Sequence, residues 1–359
     1  MSKVTYLLGA GASYGSRGIL PLSLQPIINR DGTKAEQGIL RGMPILNEFP
    51  MAVSQLQKEV GDLGNEQGNI ITEILTHILK ISQEYPTIDT YSKMLYTTKR
   101  FEEYEKFKAQ ITLFFLMWQR SHRHDIRYDS FIASLIDAET GEFPPMTILS
   151  WNYDIQLEMS YSKYFTDRKA LWKIWDKLNV CCKSNGSLPK YNAQNPFAFI
   201  KLNGSAMYHA SEVDKSSLRY PLQDVIWNSA EGEQFVDEIC LIYKNSQHKN
   251  ILTIPKYVNE LSYAWDNFGK EHIKQNIEQR GEDCETIIII GYSFPYVNRE
   301  IDRHIFISMP NLKTIYIQDV DAINIARRVT AIYEYLQKET PKIIPNTDVG
   351  QFYIPNELG

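Results

Sequence analysis

The chain has 359 residues, of which 43% are hydrophobic and 23% are charged. These values are typical of a globular protein with one large α/β domain or two domains, and they exclude a chain that is disordered throughout. The formal net charge of −5 argues against a broad electrostatic grip on nucleic acid, so we expect no direct nucleic-acid binding.

The sequence predicts a cytoplasmic protein without membrane contact. It opens with MSKVTYLL, which lacks the long apolar run and cleavage site of a secretion signal. The longest apolar stretches, such as Ile287 to Ile290, have the length of a strand and are too short to span a membrane. Its four cysteines lack the C-x-x-C spacing of a zinc site, so we expect free thiols and no metal: Cys181, Cys182, Cys240 and Cys284.

The apolar, β-rich run from Val4 to Leu8 predicts a buried first strand. Five small residues follow it: Gly9, Ala10, Gly11, Ala12 and Ser13. They predict a phosphate-binding loop, because glycine permits a tight turn and lets a pyrophosphate reach the backbone N–H groups. A complete Rossmann fingerprint would continue into a helix, whereas YGSRGILP follows here. For this segment alone, a strand followed by a plain turn remains the alternative.

A long helical region comes next. Residues 16 to 42 are rich in Gly, Pro, Arg and Asn without a sustained period, which predicts a long loop that covers the nucleotide. Apolar residues then recur at helical spacing, and no strand pattern appears before Pro145. We predict an inserted helical subdomain over residues 44–136. Its helices are expected over Pro44 to Glu59, over Ile70 to Ile81, from near Asp89, from Phe101 to about Arg120, and over Phe131 to Ile136.

Strands and helices alternate in the rest of the chain, apart from two loop-rich insertions at 166–196 and 210–232. Several strands are continuously apolar, which indicates a parallel sheet covered on both faces. We therefore predict an α/β fold: a Rossmann-like doubly wound parallel sheet with a helical subdomain inserted after the first strand. The strands are expected at 146–150, 197–202, 251–254, 286–290 and 314–318, and the helices from Ile155, at 235–243, from Val258 to about Arg280, at 298–307 and at 322–336.

Four of these strands end in loops rich in small residues or asparagine. The loops are GAGAS at 9–13, SWNYD at 150–154, LNGS at 202–205 and GYSFP at 291–295. In an open parallel sheet, ligands bind beyond the carboxyl ends of the strands, where these four loops would meet. Any one loop alone is explained by an ordinary turn, but the ordered set of four indicates a binding site.

With these four loops, the chain resembles the sirtuin-like superfamily, specifically the bacterial branch of NAD glycohydrolases found in anti-phage defence. The matching elements are the four loops, Pro255 with Trp265, and the helical insertion, and they span roughly residues 3 to 320. The resemblance implies a single NAD-binding domain over residues 1–359. Classical sirtuin deacetylases carry a four-cysteine zinc ribbon that this sequence lacks, which argues against protein deacetylation.

The resemblance also implies a role for each loop. The segment Gly9 to Ser13 would hold the pyrophosphate, Asn152 would face the nicotinamide ribose, and Asp154 would face the carboxamide. For Asn152, an Asx-turn or a cap for the helix at Ile155 is the structural alternative, although Asp154 also offers a cap. The other implied cofactor-binding residues are Gly204 and Ser205, together with Gly291, Tyr292, Ser293 and Asp319, of which the last four would lie near the adenosine half.

The implied activity is hydrolysis of NAD to nicotinamide and ADP-ribose, with NAD as substrate, by a regulated anti-phage effector. Because uncontrolled loss of NAD would kill the host, we expect a homo-oligomer or a separate defence partner protein, contacted through the helical region 44–136. Two alternatives stay open: a catalytically impaired module that senses NAD or ADP-ribose, and, more weakly, ADP-ribosyl transfer to a protein.

The sequence departs from the family pattern at two positions. Asn203 stands where the family has a histidine that serves as general base or partner of a ribose hydroxyl. An amide cannot accept a proton at neutral pH, so Asn203 is expected to keep ribose binding and to weaken turnover. His209 lies six residues further on and is a weaker candidate for the base. The second departure, Asn298 in place of aspartate, is expected to change a helix cap.

Overall fold

The computed structural model describes residues 3–14, 42–45, 48–60, 66–122, 124–165, 171–182, 191–210, 230–247, 257–266 and 270–358. Within them the strands are β1 (Val4–Leu8), β2 (Thr147–Ser150), β3 (Val180–Cys181), β4 (Ala198–Lys201), β5 (Gly204–Ala210), β6 (Tyr257–Leu261), β7 (Thr286–Ile290), β8 (Thr314–Gln318) and β9 (Lys342–Asn346). The helices are α1 (Phe49–Val60), α2 (Glu66–Glu84), α3 (Ile88–Thr97), α4 (Phe101–Ser121), α5 (Ile126–Leu135), α6 (Gln156–Ser162), α7 (Leu171–Lys177), α8 (Ala230–Gln247), α9 (Lys270–Gly281), α10 (Arg299–Ile307) and α11 (Ala322–Leu336).

Seven strands form one sheet in the order β3-β4-β2-β1-β7-β8-β9. Every neighbouring pair in it is parallel, which confirms the predicted Rossmann-like α/β fold. The chain leaves β1 toward β2 and later returns to the other side of β1 with β7. The strand order therefore reverses between β1 and β7, and ligands of such sheets bind at the carboxyl ends of the strands at this point.

The central strands are apolar along their whole length because both faces of the sheet are covered. In β7, Ile288 and Ile290 belong to one hydrophobic cluster, whereas Ile287 and Ile289 belong to a second cluster. Successive side chains of a strand point to opposite faces, so an uninterrupted apolar run is required where helices cover both of them. All five residues of β7 are buried, and so are those of β1.

The region between β1 and β2 is helical, as predicted, and its described residues contain no strand. Helix α4 is buried along its length from Phe107 to Arg120. Its side chains share a hydrophobic cluster with Val4 and Tyr6 of β1. The first helix begins at Phe49 rather than at Pro44, because Glu48 before it binds the backbone N–H of Ile45 and so holds a turn there.

The structure differs from the predicted secondary structure in other places. The loop-rich segment 166–196 also contains the short elements α7 and β3. Residues 257–261, expected to begin a helix, form β6, which pairs antiparallel with β5, and the helix starts at Lys270. Strand β9 was missed because it contains Pro345, which an edge strand tolerates.

Some predicted segments lie outside the described residues: nearly all of the 16–42 loop, the strand at 251–254 and most of the 210–232 insertion. No described helix is long and apolar enough to cross a membrane.

Candidate active site

A cavity of about 130 Å³ lies at the carboxyl ends of the central strands. Asn152, Asp154 and Asn203, the three predicted catalytic residues, all line it. The residues after β1 and β7 contribute Ala10, Gly291, Tyr292 and Ser293, and the helical region contributes Phe49, Asp89 and Phe115. The fold therefore brings loops that are distant in the sequence together around one cavity.

The glycines of the first loop serve a different purpose from the one expected. Residues Ala10–Ser13 form a short 3-10 helix, and a Cβ atom on Gly9 would lie 2.5 Å from the carbonyl oxygen of Gly291. The N–H of Gly9 donates to the Ile290 carbonyl and the N–H of Gly11 to the Gly291 carbonyl, each over 2.9 Å. These N–H groups are thus bonded within the fold, and the absence of Cβ atoms lets the loops after β1 and β7 touch. Ala10 is exposed and lines the cavity.

Helix α5 holds the first loop from behind. The guanidinium of Arg127 donates to the carbonyl oxygens of Gly11 and Ala12, over 2.9 and 3.3 Å, while it also pairs with the buried carboxylate of Asp125. The hydroxyl of Ser13 lies 3.1 Å from the hydroxyl of Tyr128. The helical region therefore positions the loop, which the sequence alone does not indicate because the contact depends on how the inserted helices pack.

The side-chain amide of Asn152 donates to the hydroxyl oxygen of Ser13 over 3.0 Å. Only 7% of Asn152 is exposed. The carboxylate of Asp154 accepts the backbone N–H of Gln156 at the start of α6, over 3.2 Å. Asp154 therefore bonds the first residue of α6, whose N-cap position is Ile155, and the alternative interpretation of Asn152 as the helix cap is wrong.

Asp154 is buried beside the lysine that precedes the third loop. Burial raises the pKa of Asp154 to about 6, and the Lys201 ammonium opposes that rise. Lys201 itself is fully buried and donates to the main-chain oxygen of Asp154 over 2.7 Å and to the Glu158 carboxylate over 2.9 Å. The lysine thus holds the Asp154 backbone while it forms a buried ion pair.

Asn203 is buried and lines the cavity. Its amide nitrogen donates to the main-chain oxygen of Trp151 over 3.3 Å. Its side-chain oxygen, Oδ1, is buried and has no hydrogen-bond partner among the described residues. An unpaired buried acceptor is costly, so a ligand that offers a hydroxyl donor there would satisfy it.

The loop after β7 forms an aromatic wall. The ring of Tyr292 stacks on Trp151 with 5.7 Å between centroids, and its hydroxyl donates to Asp302 over 2.8 Å. The amide of Asn298 donates to that hydroxyl over 3.1 Å and makes no side-chain cap on α10. The expected effect of Asn298 on a helix cap is therefore wrong, since this residue supports Tyr292. Burial raises the pKa of Asp302 to about 8.

Several predicted binding residues are not among the described residues that line the cavity. Gly204 and Ser205 belong to β5, and a Cβ on Gly204, whose φ is +66°, would lie 1.9 Å from the Glu260 carbonyl oxygen. The close approach of the β6 backbone therefore requires glycine at position 204. Asp319 is half-buried at the end of β8, where its carboxylate accepts the N–H of Asp321 over 2.8 Å. Gly9, Gly11, Ala12 and Ser13 also lie behind the cavity surface.

The remaining motif residues have other positions. Trp265 is buried after β6 and stacks on Tyr263 at 4.6 Å, outside any helix. Pro255 and the side chain of His209 lie outside what the structure describes.

Sequence reasoning missed a second carboxylate in the cavity. Asp89, in the first turn of α3, accepts a hydrogen bond from the Tyr153 hydroxyl over 3.2 Å. Burial raises the pKa of this carboxyl to about 6. An acidic residue near a helix start usually needs no explanation beyond the helix dipole, so the sequence offered no specific signal.

No protein-family model and no curated protein matches this chain. The described residues contain no group of three or more side chains that could hold a metal ion.

Proposed function

We propose that this protein hydrolyses NAD to nicotinamide and ADP-ribose. The observation that carries the proposal is the meeting of three buried side chains, Asn152, Asn203 and Asp154, in one cavity at the reversal of the strand order. The unpaired Oδ1 of Asn203 supplies an acceptor suited to a ribose hydroxyl.

The chemistry of the reaction fits these groups. Nicotinamide leaves a pyridinium cation as a neutral molecule, so its departure needs no general acid. The site must instead stabilise a ribosyl cation and position a water molecule. Buried carboxylates such as Asp89 and Asp154 stabilise positive charge in a medium of low dielectric constant, and the two amides orient hydroxyl groups.

The aromatic residues that line the cavity favour a ligand with a flat ring. Phe49, Phe115, Trp151 and Tyr292 line the same cavity, and Trp151 and Tyr292 already stack on each other. Aromatic walls favour a planar heterocycle and limit the access of bulk water to the reacting carbon.

A second candidate is a module that binds NAD or ADP-ribose without turnover. Asn203 favours it, because an amide cannot act as a general base. For the hydrolase we expect regulation by a partner protein or a change of oligomeric state, since unrestrained NAD consumption is harmful to the cell that makes the enzyme. The proposed role in anti-phage defence rests on the resemblance of the sequence motifs alone.

Incubation with NAD in ¹⁸O-labelled water tests the proposal. Hydrolysis predicts equal amounts of nicotinamide and ADP-ribose, with one ¹⁸O atom in the ADP-ribose. Nicotinamide released together with ADP-ribose attached to protein would instead show a transferase. Binding of NAD in calorimetry without any product would favour the sensor.

A further inference from the structure

We propose that the carboxylate of Asp89, which the inserted helical region contributes to the cavity, is the general base that removes a proton from the attacking water. This inference rests on the proposed hydrolase activity. It assigns a catalytic role to α3, a helix outside the four strand-end loops.

The cavity offers few groups that accept a proton. Its described lining residues include no histidine, lysine, arginine or cysteine, and the only carboxylates among them are Asp89 and Asp154. The Tyr153 and Tyr292 phenols also line it, but burial raises their pKa well above the ordinary value, so they stay protonated. Among the described residues that line the cavity, only these two carboxylates can therefore serve as the base.

The carboxylate of Asp154 is held by hydrogen bonds from its own loop and from the loop after β1. Its carboxylate already accepts two hydrogen bonds, one from the N–H of Gln156 and one from Ser13. The ammonium of Lys201 holds the same segment through the Asp154 main-chain oxygen. The pKa of Asp154 is also about 6, so the contacts and not the basicity separate the two carboxylates: these bonds fix Asp154 within its own loop, where its charge stabilises a ribosyl cation.

Asp89 is placed differently. Only 9% of it is exposed, it lines the cavity, and its carboxylate accepts a hydrogen bond from the Tyr153 hydroxyl. The titratable groups that face it are the phenols of Tyr153 and Tyr263, and no described cation forms an ion pair with it. Tyr153 stands between Asn152 and Asp154 in the sequence, so this bond holds Asp89 against the loop that faces the ribose.

The ionisation of Asp89 suits the task. Burial raises its pKa to about 6, and the Tyr153 hydrogen bond opposes that rise. The group is therefore ionised at neutral pH, and it is more basic than an ordinary aspartate. It supplies the proton acceptor that Asn203 cannot.

Hydrolysis consumes one water molecule and breaks one bond of NAD. The water oxygen forms a bond to C1′ of the nicotinamide ribose, and its proton moves to the Asp89 carboxylate. The bond from C1′ to the ring nitrogen breaks, and its electron pair stays on the nitrogen, so nicotinamide leaves neutral. Asp89 then releases the proton to solvent, and each turnover yields one proton.

Steady-state kinetics of Asp89→Asn, with and without Asn203→His, test this inference. We expect Asp89→Asn to lower kcat by about 10²- to 10⁴-fold, the usual loss for a general base, with NAD still bound in calorimetry. Because Asn203→His supplies a new base, Asp89→Asn should cost less than about tenfold in that background. The exposed Asp137→Asn is the matched control, with kcat unchanged.

The pH profile separates catalysis from a structural role. The wild-type kcat should fall below about pH 6, because the pKa values of Asp89 and Asp154 are both about 6. Tyr153→Phe removes a hydrogen bond that favours the charged form of Asp89 and not of Asp154, so a fall that begins at a higher pH in this variant identifies Asp89 as the base. If Asp89→Asn does not fold, Asp89→Glu replaces it and should keep both the pH dependence and part of the rate.

Failure of the role of Asp89 and failure of the proposed hydrolase activity give different results. A wild type that releases nicotinamide, together with an Asp89→Asn variant of equal kcat or a Tyr153→Phe variant whose acidic limb is unchanged, would overturn the role of Asp89 and leave the hydrolase standing. A wild type that binds NAD and releases none would overturn both.

Discussion

The side-chain amide of Asn152 donates to the hydroxyl of Ser13 across 3.0 Å. This bond joins the segment after β2 to the end of the loop after β1, and Tyr128 of α5 meets the same hydroxyl at 3.1 Å. Three separate parts of the chain thus meet at Ser13.

We predict that Asn152→Ala lowers kcat/KM for NAD by at least about 10²-fold, the usual cost of removing one positioned polar group from a site. Its free energy of unfolding should fall by only about 1 kcal/mol, the value of one hydrogen bond. Ser13→Ala removes the same hydrogen bond but keeps the amide. If Ser13→Ala lowers kcat/KM equally, Asn152 acts only through the serine.

Gly291→Ala should destabilise the protein more than Gly141→Ala. Both glycines have a positive φ, +60° and +70°, so alanine is strained by about 1–2 kcal/mol at each. A Cβ on Gly291 would also lie 2.4 Å from the Gly11 backbone, whereas a Cβ on Gly141 meets no atom within 4 Å. Denaturant unfolding should show a further loss of about 2 kcal/mol for Gly291→Ala. Equal losses would mean that the two loops do not need this close contact.

The buried pair of Lys201 and Glu158 gives a third prediction. Lys201→Met leaves the Glu158 carboxylate buried without its partner, so the free energy of unfolding should fall by about 3–5 kcal/mol. Combining it with Glu158→Leu removes both charges and should recover most of that loss. Urea denaturation of both variants measures the difference, and a double variant no more stable than the single one would contradict it.

The raised pKa of Asp302 should make the free energy of unfolding depend on pH. Its folded pKa of about 8 lies above the ordinary value of an unfolded aspartate. The folded state is therefore favoured while the group is protonated, and this stability is lost as the pH rises from about 4 through 8. Asp302→Asn should remove this loss, so its stability relative to wild type should rise by about 1 kcal/mol per pH unit in that range. A constant difference from pH 4 to 8 would show that Asp302 ionises normally.

The regular elements were predictable because their patterns are local. β7 and β8 start and end at the predicted residues, and α11 spans Ala322–Leu336 as expected. The missed strands depend on their partners: β3 has only two residues, and β6 is defined by its antiparallel pairing with β5. No local pattern contains that information.

The same distinction applies to the site. Asn152, Asp154 and Asn203 meet in the cavity because each follows a strand of one sheet. Asp89 and Arg127 reach the site through the packing of inserted helices, which spacing in the sequence does not reveal. Gly204 resembles a binding glycine, but its positive φ serves the turn into β5.

We propose above all that NAD is hydrolysed in this cavity. Calorimetry and chromatography on the same samples of wild type and Asn152→Ala test it most directly. We predict that both proteins bind NAD and that only the wild type releases nicotinamide, in equal amounts with ADP-ribose. A wild type that binds NAD and leaves it intact would contradict the claim and identify the protein as an NAD-binding module.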